Sequence, residues 1–198
     1  MRFKNWFLIA SALVFLSGCA ATTNFSLGKG ALTKGNYKEA IKSFELALKK
    51  NPSDADTLTY LGISYYKTGE YNKAIDKLSK AEELKPKEKR VKLYLGLAYL
   101  RIGDDTKAEE ELRSYTGIDS GSKVSTQVRR ALVLLENEEV SPKVRDLIVA
   151  NIEASLESED EIERLKEERE KAYEYYSPGF PFPYYGYYGP PLFGFWHW

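Results

Sequence analysis

The sequence contains very little of the two residue types on which most metal and catalytic sites depend. Its 198 residues include one cysteine, Cys19, and one histidine, His197. A single cysteine excludes an internal disulfide and a metal site built from cysteines. A single histidine provides no histidine pair for a zinc site or a catalytic dyad. We therefore predict neither a metal nor a cofactor.

The sequence also lacks an excess of charge of either sign. It has 29 basic and 29 acidic residues, so its formal net charge is +0. This overall balance favours neither nucleic acid nor a strongly anionic surface as a partner. No glycine-rich phosphate loop is present, and paired carboxylates occur only in a stretch that predicts an exposed helix. The chain is therefore expected not to be an enzyme.

A pattern that recurs every 34 residues dominates what is present. Each copy has a leucine-glycine pair, a second glycine, an alanine and a large apolar residue. In the three copies these are Leu27, Gly28, Gly35, Ala40 and Phe44, then Leu61, Gly62, Gly69, Ala74 and Leu78, then Leu95, Gly96, Gly103, Ala108 and Leu112. Self-similarity at this period predicts stacked helix–turn–helix units.

The chemistry of the repeated residues fits such units. Gly62 falls inside a predicted helix, where glycine costs about 1 kcal/mol relative to alanine, so we expect a neighbouring helix to approach closely there. Gly69 falls at the end of that helix, where a left-handed residue is favoured. Pro52 would end the preceding helix, and Asp54 would cap the next one.

This pattern resembles that of the tetratricopeptide repeat (TPR) family. The second copy matches the family at eight positions: Leu58, Leu61, Gly62, Tyr65, Ala74, Leu78, Ala81 and Pro86. The first copy departs from it at Asn24 and Ala31. The third departs at Lys92, Tyr115 and Ser120, so its outer end is expected to be irregular. The resemblance implies an all-α solenoid of about three helix–turn–helix repeats that binds protein partners.

The resemblance also implies an inner groove, lined by the first helix of each repeat. The candidate groove residues are Phe25, Lys29, Leu32, Ile63, Tyr66, Lys67, Arg90, Leu93, Leu97, Leu100 and Arg101. This mostly apolar lining with four cations suits an extended or helical peptide that carries hydrophobic anchors and one or two carboxylates. The alternative is that a later helix of the same chain fills the groove, and the sequence leaves both open.

Residues 1–18 have the features of a targeting segment. Arg2 and Lys4 precede an apolar run that is too short to span a bilayer comfortably. The run ends in a Leu-Ser-Gly-Cys sequence that resembles the lipobox of bacterial lipoproteins. That resemblance implies cleavage of the signal peptide before Cys19 and acylation of this cysteine, for example with palmitate. The alternatives are an ordinary secretory signal with an incidental cysteine, or a short anchor.

The lipobox resemblance carries an expectation about location. Ala20 follows the cysteine, and the lipoprotein-sorting pattern of diderm bacteria then implies the outer membrane. We expect a lipid-anchored protein of the cell envelope, on the periplasmic face of that membrane. The first repeat starts near Ala21, so almost no linker separates the anchor from the array. Residues 19–120 are therefore assigned to the lipidated N-terminus and the three repeats.

The rest of the chain divides into three segments. A break rich in glycine and serine at Ser114–Lys123 precedes a predicted capping helix in residues 121–140. Residues 141–176 predict a long charged helix that opens at Ser141 with proline in its first turn. The apolar faces are predicted at Val124, Val128, Ala131, Leu132 and Leu135 for the first helix, and at Val144, Leu147, Ile148, Ile152 and Leu156 for the second. In the last turns of the long charged helix, opposite charges four residues apart favour exposure to solvent. The alternative is that these turns form a short coiled-coil contact.

Residues 177–198 form a low-complexity tail of proline, glycine and aromatic residues, without any Asp, Glu, Lys or Arg. Proline and glycine at this density exclude a helix and predict a disordered segment. The aromatic residues suit docking in a groove, in the headgroup region of a membrane or on the sugar rings of peptidoglycan. A tail without any partner is the alternative.

These features together predict a membrane-anchored interaction scaffold or adaptor of the bacterial envelope. It would act in a secretin, pilus, outer-membrane assembly or wall-enzyme complex, with a protein partner and no nucleic acid. The alternative function is binding of wall polysaccharide or of the membrane interface through the aromatic tail.

Overall fold

The computed structural model describes residues 23–137 and 140–176, and within these ranges the chain forms eight α-helices and no strand. The predicted signal peptide (1–18), Cys19 and the aromatic tail (177–198) lie outside the described residues. The helices are α1 (residues 23–33), α2 (Tyr37–Leu48), α3 (Ala55–Lys67), α4 (Tyr71–Leu84), α5 (Lys89–Ile102), α6 (Asp105–Ile118), α7 (Lys123–Asn137) and α8 (Pro142–Tyr176).

The first six helices form three helix–turn–helix pairs that stack in sequence order. From α2 to α7 each helix packs against the next one, and α3 also contacts α5. One large side chain of each pair, Phe44, Leu78 or Leu112, is fully buried. Burying a side chain of this size stabilises the fold by about 1.5–3 kcal/mol. The predicted all-α solenoid of about three repeats is confirmed.

The mid-helix glycines lie where two helices of a pair come closest. A Cβ atom added at Gly62 would lie 2.6 Å from Cγ of Leu78, and one added at Gly96 would lie 2.6 Å from Cγ of Leu112. At Gly28 the distance to the Phe44 ring would be 2.5 Å. Each pair therefore packs its large residue directly onto a glycine backbone, as the sequence predicts.

Glycine also ends the first helix of each pair. Gly35, Gly69 and Gly103 have φ values of 74°, 80° and 81°, in the left-handed region. The next backbone N–H then bonds back into the helix, for example from Glu70 to the carbonyl of Tyr65 at 2.9 Å. This ending is the one predicted for all three copies.

The predicted N-cap of α3 is also present. The side chain of Asp54 accepts a hydrogen bond from the backbone N–H of Thr57 at 3.1 Å. A cap of this kind stabilises a helix by about 1 kcal/mol.

The third repeat is more regular than the sequence predicts. Helix α6 runs through to Ile118, so the prediction of a break that starts at Ser114 is wrong. Tyr115, which stands where the family has alanine, is 3% exposed and fills the space with its ring. Its hydroxyl lies 3.4 Å from a carboxylate oxygen of Asp119 and 3.4 Å from the hydroxyl of Ser122. These contacts fix the turn after α6.

The buried face of α7 agrees with the prediction, but that of α8 is rotated. Ile148 and Ile152 of α8 are buried as expected, whereas Val144 is 37% and Leu147 is 60% exposed. The prediction that these two residues belong to the core is wrong. Val149 is fully buried instead, and the polar contacts of α8 described below set this rotation.

The chain divides into two compact units between Glu159 and Asp160, inside α8. All described core residues and the residues packed against them lie between Phe25 and Leu156, within the first unit. In the second unit the described side chains are exposed. There Arg164 pairs with Glu161 at 2.7 Å and Lys171 with Glu167 at 3.8 Å, as expected for a solvated helix.

Candidate functional site

The predicted apolar and aromatic groove residues of the second and third repeats are buried. Ile63, Tyr66, Leu93, Leu97 and Leu100 are all 5% exposed or less. They belong to one continuous core cluster with Ile148, Val149 and Ile152 of α8. The inner side of α3 and α5 is therefore not an open surface in this structure.

Ion pairs place α8 on this side of the array. Glu153 forms ion pairs with two of the four predicted groove cations, at 3.5 Å from Nζ of Lys67 and 3.3 Å from a guanidinium nitrogen of Arg101. Arg101 also pairs with Asp146 at 2.9 Å. The first half of α8 thus supplies both the apolar face and the carboxylates that the sequence assigns to a bound peptide. Over these two repeats the groove holds a later helix of the same chain.

Further contacts fix α8 along its length. Arg145 donates two hydrogen bonds to the carboxylate of Asp105, at 2.6 and 2.7 Å, which is the strong bidentate arrangement. Nearer the end of the first unit, Glu159 accepts from the backbone N–H of Val124 at 3.1 Å, at the start of α7. Carboxylates are favourable at that position because the first N–H groups of a helix have no partner within it.

Tyr66 lies at the centre of the covered part. Its ring contacts those of Tyr71 and Tyr94, with centroids 5.6 and 5.4 Å apart. Burial, together with the nearby negative charge of Glu153, raises the pKa of the Tyr66 hydroxyl well above its ordinary value. Within the described residues, its hydroxyl and Nε of Arg101 are buried without a hydrogen-bond partner.

The first-repeat end of the groove is different, because it is open. Lys29 and Arg90 are exposed, and both lie over the half-buried ring of Tyr60, at 5.3 and 5.4 Å from its centroid. Arg90 also donates a hydrogen bond to the Tyr60 hydroxyl. Phe25 packs against the same ring with centroids 5.7 Å apart, and half-buried Leu32 lies one helical turn after Lys29.

This open end, defined by Phe25, Lys29, Leu32, Tyr60 and Arg90, combines two cations with an aromatic surface. Cations over aromatic faces are held by about 0.5–1 kcal/mol at exposed sites, which positions them without neutralising them. Among the described residues, no carboxylate lies within ion-pair distance of Lys29 or Arg90. The open end can therefore accept a carboxylate between or beside its two cations.

The sequence pattern predicted four of these five residues and missed Tyr60. Tyr60 precedes the Leu-Gly pair of the second copy, at a position outside the family pattern used to assign the groove. A signal was available, because Tyr60 is one of the few aromatic residues on a predicted first helix that the pattern leaves without a role. Glu153 of α8 was also missed as the acid that pairs with the groove cations.

A second, open groove of about 660 Å³ lies between α2 and α4. Its lining includes Glu45, Leu48, Tyr65, Asn72 and Asp76. The Tyr65 hydroxyl donates to Glu45 at 2.6 Å, and burial raises its pKa above the ordinary value. This groove lies between the second helices of consecutive repeats. Its lining identifies the positions of the second repeat that face the first one.

The described part of the chain holds neither a metal cluster nor a membrane-spanning helix. Among its residues, no group of three or more His, Cys, Asp or Glu side chains is arranged to hold a metal ion. None of the helices in residues 23–137 and 140–176 combines the length and apolar composition that crossing a membrane requires.

Comparison with known proteins identifies the repeats. A family model described as tetratricopeptide repeat matches residues 25–89 and 61–123. A comparison with curated proteins finds no significant match.

Several solved structures are similar in fold. The Arabidopsis OM64 TPR domain is 16% identical, with a TM-score of 0.57 over 60% of this chain and 98% of that one. The type III secretion chaperone SycD of Yersinia enterocolitica, in complex with a peptide of the translocator YopD, is 23% identical, with a TM-score of 0.54 over 58% and 91%. The second TPR domain of human RPAP3, in complex with an HSP70 peptide, is 18% identical, with a TM-score of 0.55 over 62% and 99%.

Proposed function

This chain belongs to the tetratricopeptide repeat family, and we propose that it is a lipid-anchored adaptor of the bacterial cell envelope that binds an acidic peptide segment of a partner protein. The peptide occupies the open end of the groove, with a carboxylate at Lys29 and Arg90. The adaptor serves a secretin, pilus, outer-membrane assembly or wall-enzyme complex.

The observation that carries the peptide proposal is the pair of exposed cations on one aromatic ring. The other two predicted groove cations, Lys67 and Arg101, already bind carboxylates of α8. Lys29 and Arg90 are placed in the same groove and lack such a partner within the described residues. A carboxylate bound there would gain charge-assisted hydrogen bonds, and an adjacent apolar side chain would bury the face of Phe25.

The similar structures support the class of ligand. The second TPR domain of human RPAP3 holds the HSP70 peptide SGPTIEEVD, which contains three acidic residues. SycD holds a peptide of the translocator YopD. The likeness to these domains is one of fold, so the choice of an acidic peptide for this chain rests on its own Lys29 and Arg90.

The anchor is supported by the sequence alone. The only cysteine of the chain falls at the end of a short apolar run with small residues before it. Two or three acyl chains give stable membrane attachment, since each buried CH₂ contributes about 0.8 kcal/mol.

The peptide proposal is tested by capturing partners from detergent-solubilised envelopes. We expect the chain starting at Cys19 to retain one or more proteins, and a Lys29→Glu plus Arg90→Glu variant to retain at least tenfold less of them. Both side chains are exposed, so the variant should remain folded, and its stability should fall only by the loss of the contacts with Tyr60, about 0.5–1 kcal/mol for each cation. When the captured complex is crosslinked, the partner peptides joined to this chain should come from an acidic segment of the partner protein.

A matched control separates the site from net charge. Lys50→Glu plus Lys143→Glu changes the charge equally at two exposed positions that do not belong to the open end, one in the turn after α2 and one in the first turn of α8. This control should capture the same proteins as wild type. Equal retention by all three chains, in a salt range where surface charges are not screened, would show that the partner docks elsewhere.

A further inference from the structure

The open end and the covered part of the groove lie on the same two helices. On α3, Tyr60 of the open end precedes Lys67 of the covered part by seven residues. On α5, Arg90 precedes Arg101 by 11 residues. At 1.5 Å per residue, these separations are about 10 and 16 Å along the helices. A chain held at the open end therefore reaches the covered part within a few turns of helix.

The helix that covers this part of the groove has a narrow buried face. Within its described residues, α8 buries three apolar side chains, Ile148, Val149 and Ile152. Helix α5 buries eight residues. The helix pairs of the array also pack without α8, since Leu78 and Leu112 are buried against the glycine of their own pair. The packing within the pairs therefore does not depend on the cover.

The polar contacts beneath α8 are incomplete. Arg101 pairs with Asp146 through one terminal nitrogen and with Glu153 through the other. Its Nε and the hydroxyl of Tyr66 are buried without a hydrogen-bond partner among the described residues. Arg145, by contrast, uses its Nε and a terminal nitrogen to hold one carboxylate. Buried donors without an acceptor are costly, so α8 leaves part of the binding capacity of this groove unused.

We propose that the covered part is a second peptide site, which α8 fills as an internal ligand until an acidic amphipathic helix of the partner displaces it. This inference rests on the proposed function, because the partner bound at the open end supplies the competing helix. Linking the two contacts raises the effective concentration of that helix, so it competes with α8 where a free helix competes poorly.

The structure of α8 defines the helix that fits. It needs apolar residues at the spacing of Ile148 and Ile152, which face the core of the groove. It also needs an acid in the place of Glu153, within reach of Lys67 and Arg101. This is the helix-in-groove mode of recognition, with the carboxylates fixing the register.

The test loosens α8 without changing the groove. Arg145→Ala removes the pair with Asp105, and Asp146→Ala removes one pair of Arg101 at a carboxylate that is 70% exposed. The probe is a fluorescein-labelled peptide that copies residues 142–159 and so carries the matching stripe and acids. Both variants are made in the chain starting at Cys19, which keeps every described residue. We expect them to bind the probe at least tenfold more tightly than wild type in anisotropy titrations.

Controls separate the site from other surfaces. Arg164→Ala changes an exposed arginine of α8 that lies beyond the first compact unit, so it should bind the probe as weakly as wild type. A peptide with Asp146→Lys plus Glu153→Lys keeps the apolar stripe and should bind the loosened chains at least tenfold more weakly. With an isotope-labelled probe, hydrogen exchange should become faster in residues 144–156 of the chain, while α3 and α5 stay protected. Melting curves establish that the variants are folded.

The other outcomes overturn the inference. If the folded variants bind the probe no better than wild type, or bind it without faster exchange in α8, the covered part is not a peptide site. Dimers of the loosened chains that exclude the probe would identify a second copy, and not a partner helix, as the occupant.

The proposed function fails or holds by a separate measurement. Lys29→Glu plus Arg90→Glu should change binding of the probe by less than about threefold, because charges more than about 10 Å away are largely screened at physiological salt. The same variant should lose the partner in the capture from envelopes. Unchanged capture would refute the open end as the partner site, whereas the probe reports only on the exchange of α8.

Discussion

The same substitution, glycine to alanine, should change stability in opposite directions at Gly30 and Gly62. Both residues are inside first helices, where alanine is favoured over glycine by about 1 kcal/mol. At Gly30 nothing lies within 4 Å of the added Cβ, so the full gain is expected. The chain is about the size for which 1 kcal/mol moves the melting temperature by about 2–4 °C.

At Gly62 the gain is outweighed by overpacking. The new Cβ would lie 2.6 Å from Cγ of Leu78 and 3.3 Å from the carbonyl oxygen of Ala74. Leu78 is 0% exposed and has no room to move away. Overpacking a core typically costs about 1–3 kcal/mol, so a net loss of about 1 kcal/mol remains after the helix gain. The Gly30→Ala and Gly62→Ala variants should therefore differ by about 2 kcal/mol.

Gly69→Ala separates the two causes of cost. Nothing lies within 4 Å of its Cβ position, but its φ of 80° is strained for alanine, at about 1–2 kcal/mol. Urea unfolding followed by far-UV circular dichroism measures all three variants. If Gly62→Ala were as stable as Gly30→Ala, the close contact between α3 and α4, and with it the register of the helix pairs, would be wrong.

Two further predictions concern α8 and the anchor. Glu153→Ala should lower the free energy of unfolding by about 1–2 kcal/mol, because its half-buried carboxylate bridges Lys67 and Arg101, and such pairs lie between exposed and buried ones in strength. The control is Glu163→Ala, since the exposed carboxylate of Glu163 pairs only with Lys166 among the described residues. It should change the free energy of unfolding by less than about 0.5 kcal/mol. Cys19→Ser should leave an uncleaved or mislocalised precursor that no longer incorporates labelled palmitate, and unchanged labelling and fractionation would exclude acylation at this residue.

The repeat architecture could be predicted because its requirements are local and specific to residue type. A close helix approach at Gly62 excludes any side chain, and the left-handed turn at Gly69 disfavours every residue except glycine. These requirements recur at a fixed period, so the helix pairs, their order and their turns follow from the spacing. The sequence did not predict that α6 continues to Ile118. The reason is that Tyr115 can fill the place of a small residue when the turn after α6 adapts to its ring.

The occupant of the groove could not be predicted for a different physical reason. An amphipathic stripe shows that one face of a helix is buried, but not which surface buries it. An apolar stripe through Val144 and one through Val149 both include Ile148 and Ile152. Hydrophobicity alone therefore does not decide which of the two stripes is buried. The choice is made by the pairs of Arg145 with Asp105 and of Glu153 with Lys67, which join residues 40 and 86 positions apart in the sequence.

The covered and open parts of the groove make different demands on a partner. Beneath α8, Lys67 and Arg101 are paired with carboxylates of that helix and the apolar side chains are buried, so a partner gains contacts there only by displacing α8. At Lys29 and Arg90 neither an acid nor an apolar cover is present among the described residues. A short segment with one carboxylate beside one apolar side chain is then enough to use the site. Such a small contact area gives weak affinity in solution. Holding the adaptor and its partner at one membrane raises their effective concentration, because the second contact becomes nearly intramolecular. A weak site of this kind therefore fits an anchored adaptor better than a freely diffusing one.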